Sequence, residues 1–519
     1  MSGKEQFIAE INEGYTFKGR FIILGGAMLD GECATNTLVK IPLRTMNRHG
    51  LIAGATGSGK TKTLQILAEQ LSHQGVPSLL MDIKGDLSGI AVPSDGHPKI
   101  DERHARIGIP FEAGGSPVEF LSLSDEPGAR LRATVLEFGP VLFSKMLGLN
   151  DTQAGVVAVV FKYCDDNKLP LLDLEDFKQT LQYITNEGKE EAERVFGRIS
   201  TASVGTIMRK IIELEQQDAG RFFGERSFDV DDLLRVDENG RGIVSILRLT
   251  DIQGRPKLFS TFMLQMLAEI YSNFPEEGDL DKPKLAIFID EAHLVFEEAS
   301  DALMDQIEVI VKLIRSKGVG LFFVTQNPAD IPDDVLGQLG LKIQHALRAF
   351  TAKDRKAIKL AAQNYPISDY YDVAQVVTEL GIGEALVTAL NEKGIPTPLA
   401  HTLLRAPESR MDVLTQQEIN SIIRRSRIID KYNEEIDRES AHEILTRKLE
   451  EAQDATLQEE MRGQREQAKS TSRRQEKSAI EKIISSPTTR QVARTVAREL
   501  TRGLLGVLGV SSSTRRRRR

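Results

Sequence analysis

Eight residues early in the chain combine features suited to phosphate chemistry: Gly54, Ala55, Thr56, Gly57, Ser58, Gly59, Lys60 and Thr61. They match G-x-x-x-x-G-K-[ST] in full. Glycines allow successive backbone N–H groups to converge on phosphate oxygens. The Lys60 ammonium adds charge at the β and γ phosphates, and the Thr61 hydroxyl is a magnesium ligand. The run lies between an apolar segment, Leu51-Ile52-Ala53, and a stretch Thr61–Gln74 that places Leu64, Leu67, Ala68 and Leu71 on one helical face. This strand–loop–helix context points to a site for ATP and Mg2+ rather than to an unliganded glycine turn.

A second group follows the apolar run Leu285–Ile289: Asp290, Glu291, Ala292 and His293. Two acids ending a buried strand fall at the carboxyl edge of a sheet, beside the phosphate loop. Asp290 is expected to hold the magnesium through its water shell, and Glu291 to polarise the attacking water. Alone, such a pair could simply cap a helix. His293 could couple nucleotide state to a neighbour, or hydrogen-bond locally. Gln326 closes the apolar strand Leu321–Thr325, where a γ-phosphate sensor is expected; the competing reading is a plain strand end before Pro328. Arg348, near the end of the next strand, is a candidate guanidinium for an adjacent subunit's transition state. An ordinary surface arginine is the alternative, and Arg355 is a second candidate for the same task.

Positioning these groups requires a sheet whose strands are covered on both faces. Val76–Ile83, Gly242–Leu249, Lys284–Asp290, Val319–Thr325 and Lys342–Ala349 are apolar runs without strict alternation, and helices at Pro256–Asn273 and Ala299–Ser316 separate some of them. That rhythm predicts an α/β fold with a mostly parallel sheet, and a hairpin is expected around Ile382–Leu390. We divide the chain into a short N-terminal β segment (1–41), the first part of an ATPase core (42–137), a helical insertion (138–237), the second part of the core (238–410), a charged helical extension (411–480) and a basic amphipathic tail (481–519). Within the extension, Gln416–Gln467 reads as one long charged helix.

Composition narrows the function. Two cysteines, Cys33 and Cys164, in 519 residues suit a reducing cytosol and neither a disulfide framework nor a zinc site. The absence of a signal-like N-terminus or a run of about 20 apolar residues predicts a cytoplasmic protein. From Ser486 to Arg519 nine arginines face one acid, so this tail carries +8 and the remainder −16 of the net −8. A body so acidic confines any nucleic-acid contact to a local channel or to the tail. In the tail Arg490, Arg494, Arg498 and Arg502 line one helical face, opposite Val492, Val496, Leu500, Leu504 and Leu508. Packing or oligomerisation, nucleic-acid binding and membrane-surface contact all fit that pattern. Lys84, and the set Lys312, Arg315 and Lys317, could follow DNA phosphates in a pore; the latter three could instead complement a helix C-terminus.

Asp-Glu-Ala-His invites comparison with two-domain helicases, but Lys60 and Asp290 stand 230 positions apart and no second ATPase-like core follows. With one core, the far wall of the site must come from another subunit, most simply in a homohexameric ring. The ordered set Gly-Ala-Thr-Gly-Ser-Gly-Lys-Thr, Met-Asp-Ile-Lys-Gly-Asp-Leu-Ser-Gly (81–89), Phe-Ile-Asp-Glu-Ala-His, Val-Thr-Gln-Asn-Pro-Ala-Asp-Ile-Pro and Gln-His-Ala-Leu-Arg-Ala-Phe resembles bacterial HerA-like ATPases of the HerA–FtsK superfamily. The likeness runs from about Phe17 through Arg405. It implies a RecA-like P-loop core, hexameric assembly and ATP-driven translocation on double-stranded DNA. It also supports the roles given to Lys60, Thr61, Asp290, Glu291, Gln326 and Arg348. Only about 40 residues precede the core, against a long N-terminal barrel in archaeal HerA; a nuclease or other protein partner, as in archaea, is a further expectation of the resemblance, and the short N-terminal segment sets it in question. The alternative from another class is an ATP-dependent platform that assembles or remodels protein partners, with the tail tethering it to a membrane.

Overall fold

The computed structural model describes residues 3–251, 255–278, 280–296, 301–349, 351–434, 436 and 439–451. Twelve strands among them form one sheet: β1 (Phe21–Leu29), β2 (Glu32–Pro42), β3 (Gly50–Ala53), β4 (Ser78–Asp82), β5 (Val118–Ser122), β6 (Ala129–Arg130), β7 (Val244–Arg248), β8 (Leu285–Ile289), β9 (Val319–Thr325), β10 (Leu341–Gln344), β11 (Glu384–Thr388) and β12 (Ala400–Leu404). Their order is β2-β1-β12-β11-β10-β3-β9-β8-β4-β7-β5-β6. From β10 to β6 each neighbouring pair is parallel. From β10 to β2 each is antiparallel. This is the expected RecA-like α/β core, extended on one side by an antiparallel sector.

The central strands β3, β4, β8 and β9 are buried at every position, which explains why their sequences read as continuous apolar runs. Packing there is tight. Phe288 and Phe322, in register on β8 and β9, stack with ring centroids 4.7 Å apart. Gly50 on β3 faces the same ring, and a Cβ at that position would lie 2.6 Å from Phe322 Cδ1.

Contacts divide the chain into two compact units, Met1–Leu131 with Phe228–Glu434, and Arg132–Ser227 with the chain after Glu434. The second holds the predicted helical insertion, somewhat shifted. Its helices are Val135–Met146, Asp151–Asn167, Leu174–Thr185, Lys189–Phe196 and Thr201–Glu215. Three begin with reciprocal capping boxes: Thr134 with Glu137, Asn150 with Gln153, and Asp173 with Asp176. Their apolar faces meet in an aromatic core where Phe143 and Phe177 lie 4.8 Å apart.

Four expectations differ from the structure. The N-terminal segment opens with a helix, Gly3–Gly14, which buries Phe7 and Ile11 before the strands begin. The strand expected over 342–349 ends at Gln344; beyond it the backbone leaves the sheet to meet the phosphate loop, Ala55 N–H donating to Ala346 O at 2.7 Å. The hairpin is wider than expected, pairing β11 with β12 across residues 389–399. The long charged helix is broken: Gln416–Ile423 and Ile429–Asn433 are separate, and 441–451 forms a further helical stretch. Tyr432, fully buried, explains the break, because its hydroxyl accepts from Asp229 N–H and bonds Asp232, docking the short helix on the core. The basic tail, 481–519, lies outside the described residues.

Phe288→Ala should remove the stacked pair and leave a cavity, lowering stability by about 3–5 kcal/mol. Urea unfolding followed by circular dichroism measures this; a loss under about 1 kcal/mol would show that the sheet centre repacks freely.

Candidate nucleotide-binding and catalytic site

Parallel strands bring their carboxyl ends to one edge, and the strand order decides which loops become neighbours there. β9 lies between β3 and β8. The phosphate loop after β3, Gln326 after β9 and the acid pair after β8 therefore emerge side by side. β4, on the other flank of β8, adds the loop carrying Lys84.

The phosphate loop has the backbone its glycines permit. Gly57 and Gly59 have φ of 77° and 113°, a region that L side chains adopt only with strain. A Cβ at Gly57 would meet nothing within 4 Å, whereas at Gly54 it would lie 2.5 Å from His345 Cβ. Helix Lys60–His73 follows directly, so its N-terminal N–H groups face the loop. Lys60 Nζ donates to Gly54 O at 2.6 Å and to Ala55 O at 3.2 Å. Burial, then the nearby charge of Lys84, lowers the pKa of Lys60, while Glu291 and Asp290 oppose that shift.

Asp290 and Glu291 are 3% and 5% exposed. Burial raises the Asp290 carboxyl to about 6; Glu291 pushes in the same direction and Lys84 against it. Its Oδ2 is buried and has no hydrogen-bond partner among the described residues. Glu291 is treated differently. Burial would raise its pKa, but the Lys84 hydrogen bond and charge, Gln326 and His293 together bring it below the ordinary value. Lys84 forms an ion pair with it. Gln326 Nε2 donates to Glu291 Oε2 at 3.4 Å, and His293 Nδ1 lies 3.2 Å from the same oxygen. Thr56 of the phosphate loop in turn donates to Gln326 Oε1 at 3.2 Å. Glu291 itself has φ of 45°, an uncommon conformation for a residue with a side chain, of the kind that clusters at functional sites.

The structure thus joins Thr56, Gln326, Glu291 and Lys84 in one network, beside Lys60 and Asp290. One observation fits a magnesium ion, the buried oxygen of Asp290 without a hydrogen-bond partner among the described residues, since magnesium takes oxygen ligands; Asp290 and Thr61 are the residues that would hold it. Arg348 is not part of this network. Its guanidinium donates to Thr378 O at 2.8 Å and Leu380 O at 3.5 Å, at the C-terminal end of helix Val373–Glu379. Arg355 sits exposed on helix Ala352–Ala362. Lys312 lies in the last turn of helix Asp301–Ile314, 3.9 Å from Glu308, and Lys317 stacks over Tyr271 at 5.0 Å.

Two site residues escaped the sequence reading. Lys84, considered there for a pore, is the partner of Glu291. His345 is fully buried, with Nε2 2.9 Å from Thr63 Oγ1. Burial and then the charge of Lys60 push its pKa down to about 4, so it is neutral at pH 7. Only the position of Lys84 in Asp82-Ile83-Lys84-Gly85-Asp86, after a buried strand, hinted at its place; nothing comparable marked His345.

Fold and site together define a P-loop nucleotide-binding core with an added strand between the phosphate-loop strand and the acidic strand. The chain belongs to the helicase HerA-like C-terminal family, whose profile matches residues 28–516. It is 23% identical over 374 residues to the DNA double-strand break repair helicase HerA of Sulfolobus acidocaldarius, covering 70% of this chain and 66% of the relative. Identity to HerA of Saccharolobus solfataricus is also 23%, over 366 residues, 68% of this chain and 64% of that one. The chain therefore spans a little under two thirds of these relatives' length. Among solved structures, the bacterial conjugative coupling protein TrwBdeltaN70 matches at 14% identity and a TM-score of 0.49, over 78% of this chain and 94% of that one.

The raised pKa of Asp290 has a stability consequence. A carboxyl at about 6 in the folded chain, against an ordinary 3.8, favours the fold below pH 3.8; that contribution is lost as pH rises through 6. Asp290→Asn should raise the free energy of unfolding at pH 8, measured by urea unfolding without nucleotide or magnesium, by on the order of a few kcal/mol. The gain should shrink as pH falls from 6 towards 4; a pH-independent change would mean that Asp290 is already neutralised.

Proposed function

We propose that this chain is an ATP-hydrolysing motor of the HerA type that acts on DNA, as translocase or helicase, in the cytoplasm. The observation that supports this most is the hydrogen-bonded line from Thr56 through Gln326 to Glu291. It links the phosphate loop, the sensor position and the acid across three adjacent strands. The family membership adds the expectation of DNA as the track.

In this reading the loop N–H groups and Lys60 bind the β and γ phosphates, while Thr61 and Asp290 hold magnesium, which when bound neutralises phosphate charge. Gln326 contacts the terminal phosphate and positions water. Glu291 accepts a proton from that water as its oxygen bonds to phosphorus and the bond to the ADP oxygen breaks. A second copy of the chain completes the site in a ring. Arg348 is our candidate for the guanidinium supplied across that interface, and reaching a neighbour's phosphate requires it to leave the carbonyls of Thr378 and Leu380.

ATP turnover by the full chain, with and without duplex or single-stranded DNA, tests the reading. Turnover should rise with one DNA form, and Lys60→Ala should lower it by about a hundredfold or more. Hydrolysis indifferent to every DNA form, with no DNA binding at low salt, would favour the protein-remodelling platform. Arg348→Ala should cost up to about a thousandfold in turnover without changing the mass of the assembly; full activity would leave Arg348 as a helix-capping residue.

A further inference from the structure

Lys84 brings a second positive charge to this edge from outside the phosphate loop. β4 pairs with β8 so that Met81 faces Ile289, and the segment after Asp82 therefore leaves the sheet beside Asp290 and Glu291. Its base is firmly built. The buried Asp82 carboxylate accepts from the N–H groups of Gly85 at 2.7 Å, Asp86 at 3.1 Å and Leu87 at 3.2 Å. Gly85 has φ of 74°, and a Cβ there would lie 2.8 Å from Thr250 Cγ2, so the turn admits little else. From this anchored turn the Lys84 side chain extends with 36% of its surface exposed, while the side chain of its partner Glu291 is only 7% exposed. The pairing joins a long, partly exposed cation to a buried anion.

That anion is crowded. One oxygen of Glu291 carries the Lys84 ion pair, and the other faces Gln326 and His293. Each of its oxygens keeps a second lone pair, but the ammonium, the amide and the imidazole crowd a buried carboxylate and compete with water for it. The cation has an alternative partner within its field: it acts electrostatically on Lys60, the phosphate-binding lysine, and on Asp290. A terminal phosphate next to Lys60 carries more charge than a single carboxylate, and an ammonium is a point charge able to turn between the two. We propose that Lys84 is a second phosphate-reading residue: its ammonium exchanges Glu291 for the terminal phosphate of ATP, and that exchange frees Glu291 to receive the proton of water. This inference rests on the ATPase reading and adds a γ-phosphate-selective contact to it. Lys84 then makes Glu291 competent only when a triphosphate is present, and ADP leaves the ion pair in place.

The test measures binding of ADP and of a non-hydrolysable ATP analogue to the full chain. Removing Lys84 from the natural sequence is not decisive alone, because an unpaired Glu291 would itself repel the analogue. We therefore place Lys84→Met on a Glu291→Gln background, where that repulsion is gone. There K84M should weaken analogue binding by about tenfold or more and leave ADP binding within about twofold, while Lys84→Arg should retain the preference for the analogue. Equal analogue affinity for E291Q and E291Q/K84M would overturn the proposal, leaving Lys84 as a neutraliser of Glu291 only. Parallel weakening of ADP and analogue would also overturn it, as a structural effect. If the natural chain and E291Q bind neither nucleotide, the ATPase reading fails and the inference falls with it.

Discussion

Two carboxylates buried at the end of an entirely apolar strand set the electrostatic constraint on this molecule. Asp290 and Glu291 are nearly inaccessible, and an ionised carboxylate without a partner in such a place costs several kcal/mol. Three answers are built around them. Lys84 neutralises Glu291 by an ion pair, Gln326 and His293 supply polar contacts to it, and Asp290 keeps a raised pKa with one oxygen unpartnered. The positive charges that suit the acids also suit phosphate. In the proposed reading, the charges that offset the buried acids also receive a triphosphate with magnesium.

Strand order turns that field into a site. β9 between β3 and β8 sets Gln326 between the glycine loop and the acids, and β4 beyond β8 delivers Lys84. The chain between Lys60 and Asp290 is long because it supplies β4, β5 and β6, then the helical unit of Arg132–Ser227, and then β7. The insertion departs after β6, the last strand of the sheet. It consequently adds about a hundred residues without altering the pairing of β3, β9, β8 and β4.

Much of the fold was legible because burial on both faces leaves a direct mark on sequence. Leu285–Ile289 and Val319–Thr325 are apolar without interruption, and they are β8 and the whole of β9. Helix Pro256–Asn273 carries its start in proline and occupies the predicted range. Errors fell where local pattern and tertiary contact compete. Charge periodicity over 416–467 cannot tell a continuous helix from short helices docked through Ile419 and Tyr432. Residues 345–349 have strand-like composition, yet His345 is held against Thr63 and Ala346 against Ala55.

By itself the sequence marked the glycine loop, the acid pair and the polar residue at 326, because particular residue types stand there at the ends of apolar strands. It also marked a helical insertion, through charged, helix-patterned segments; the capping boxes that start three of its helices are seen in the structure. Only the tertiary structure decided which of those strand ends are neighbours, since sheet order is a long-range property that no local pattern encodes. It alone paired Lys84 with Glu291 across 207 positions of sequence, turned Arg348 onto the carbonyls of Thr378 and Leu380, and buried a neutral histidine beneath the glycine loop. Those contacts arise from the register of parallel strands, and from the requirement that buried charge and buried polar atoms find partners in space rather than in sequence.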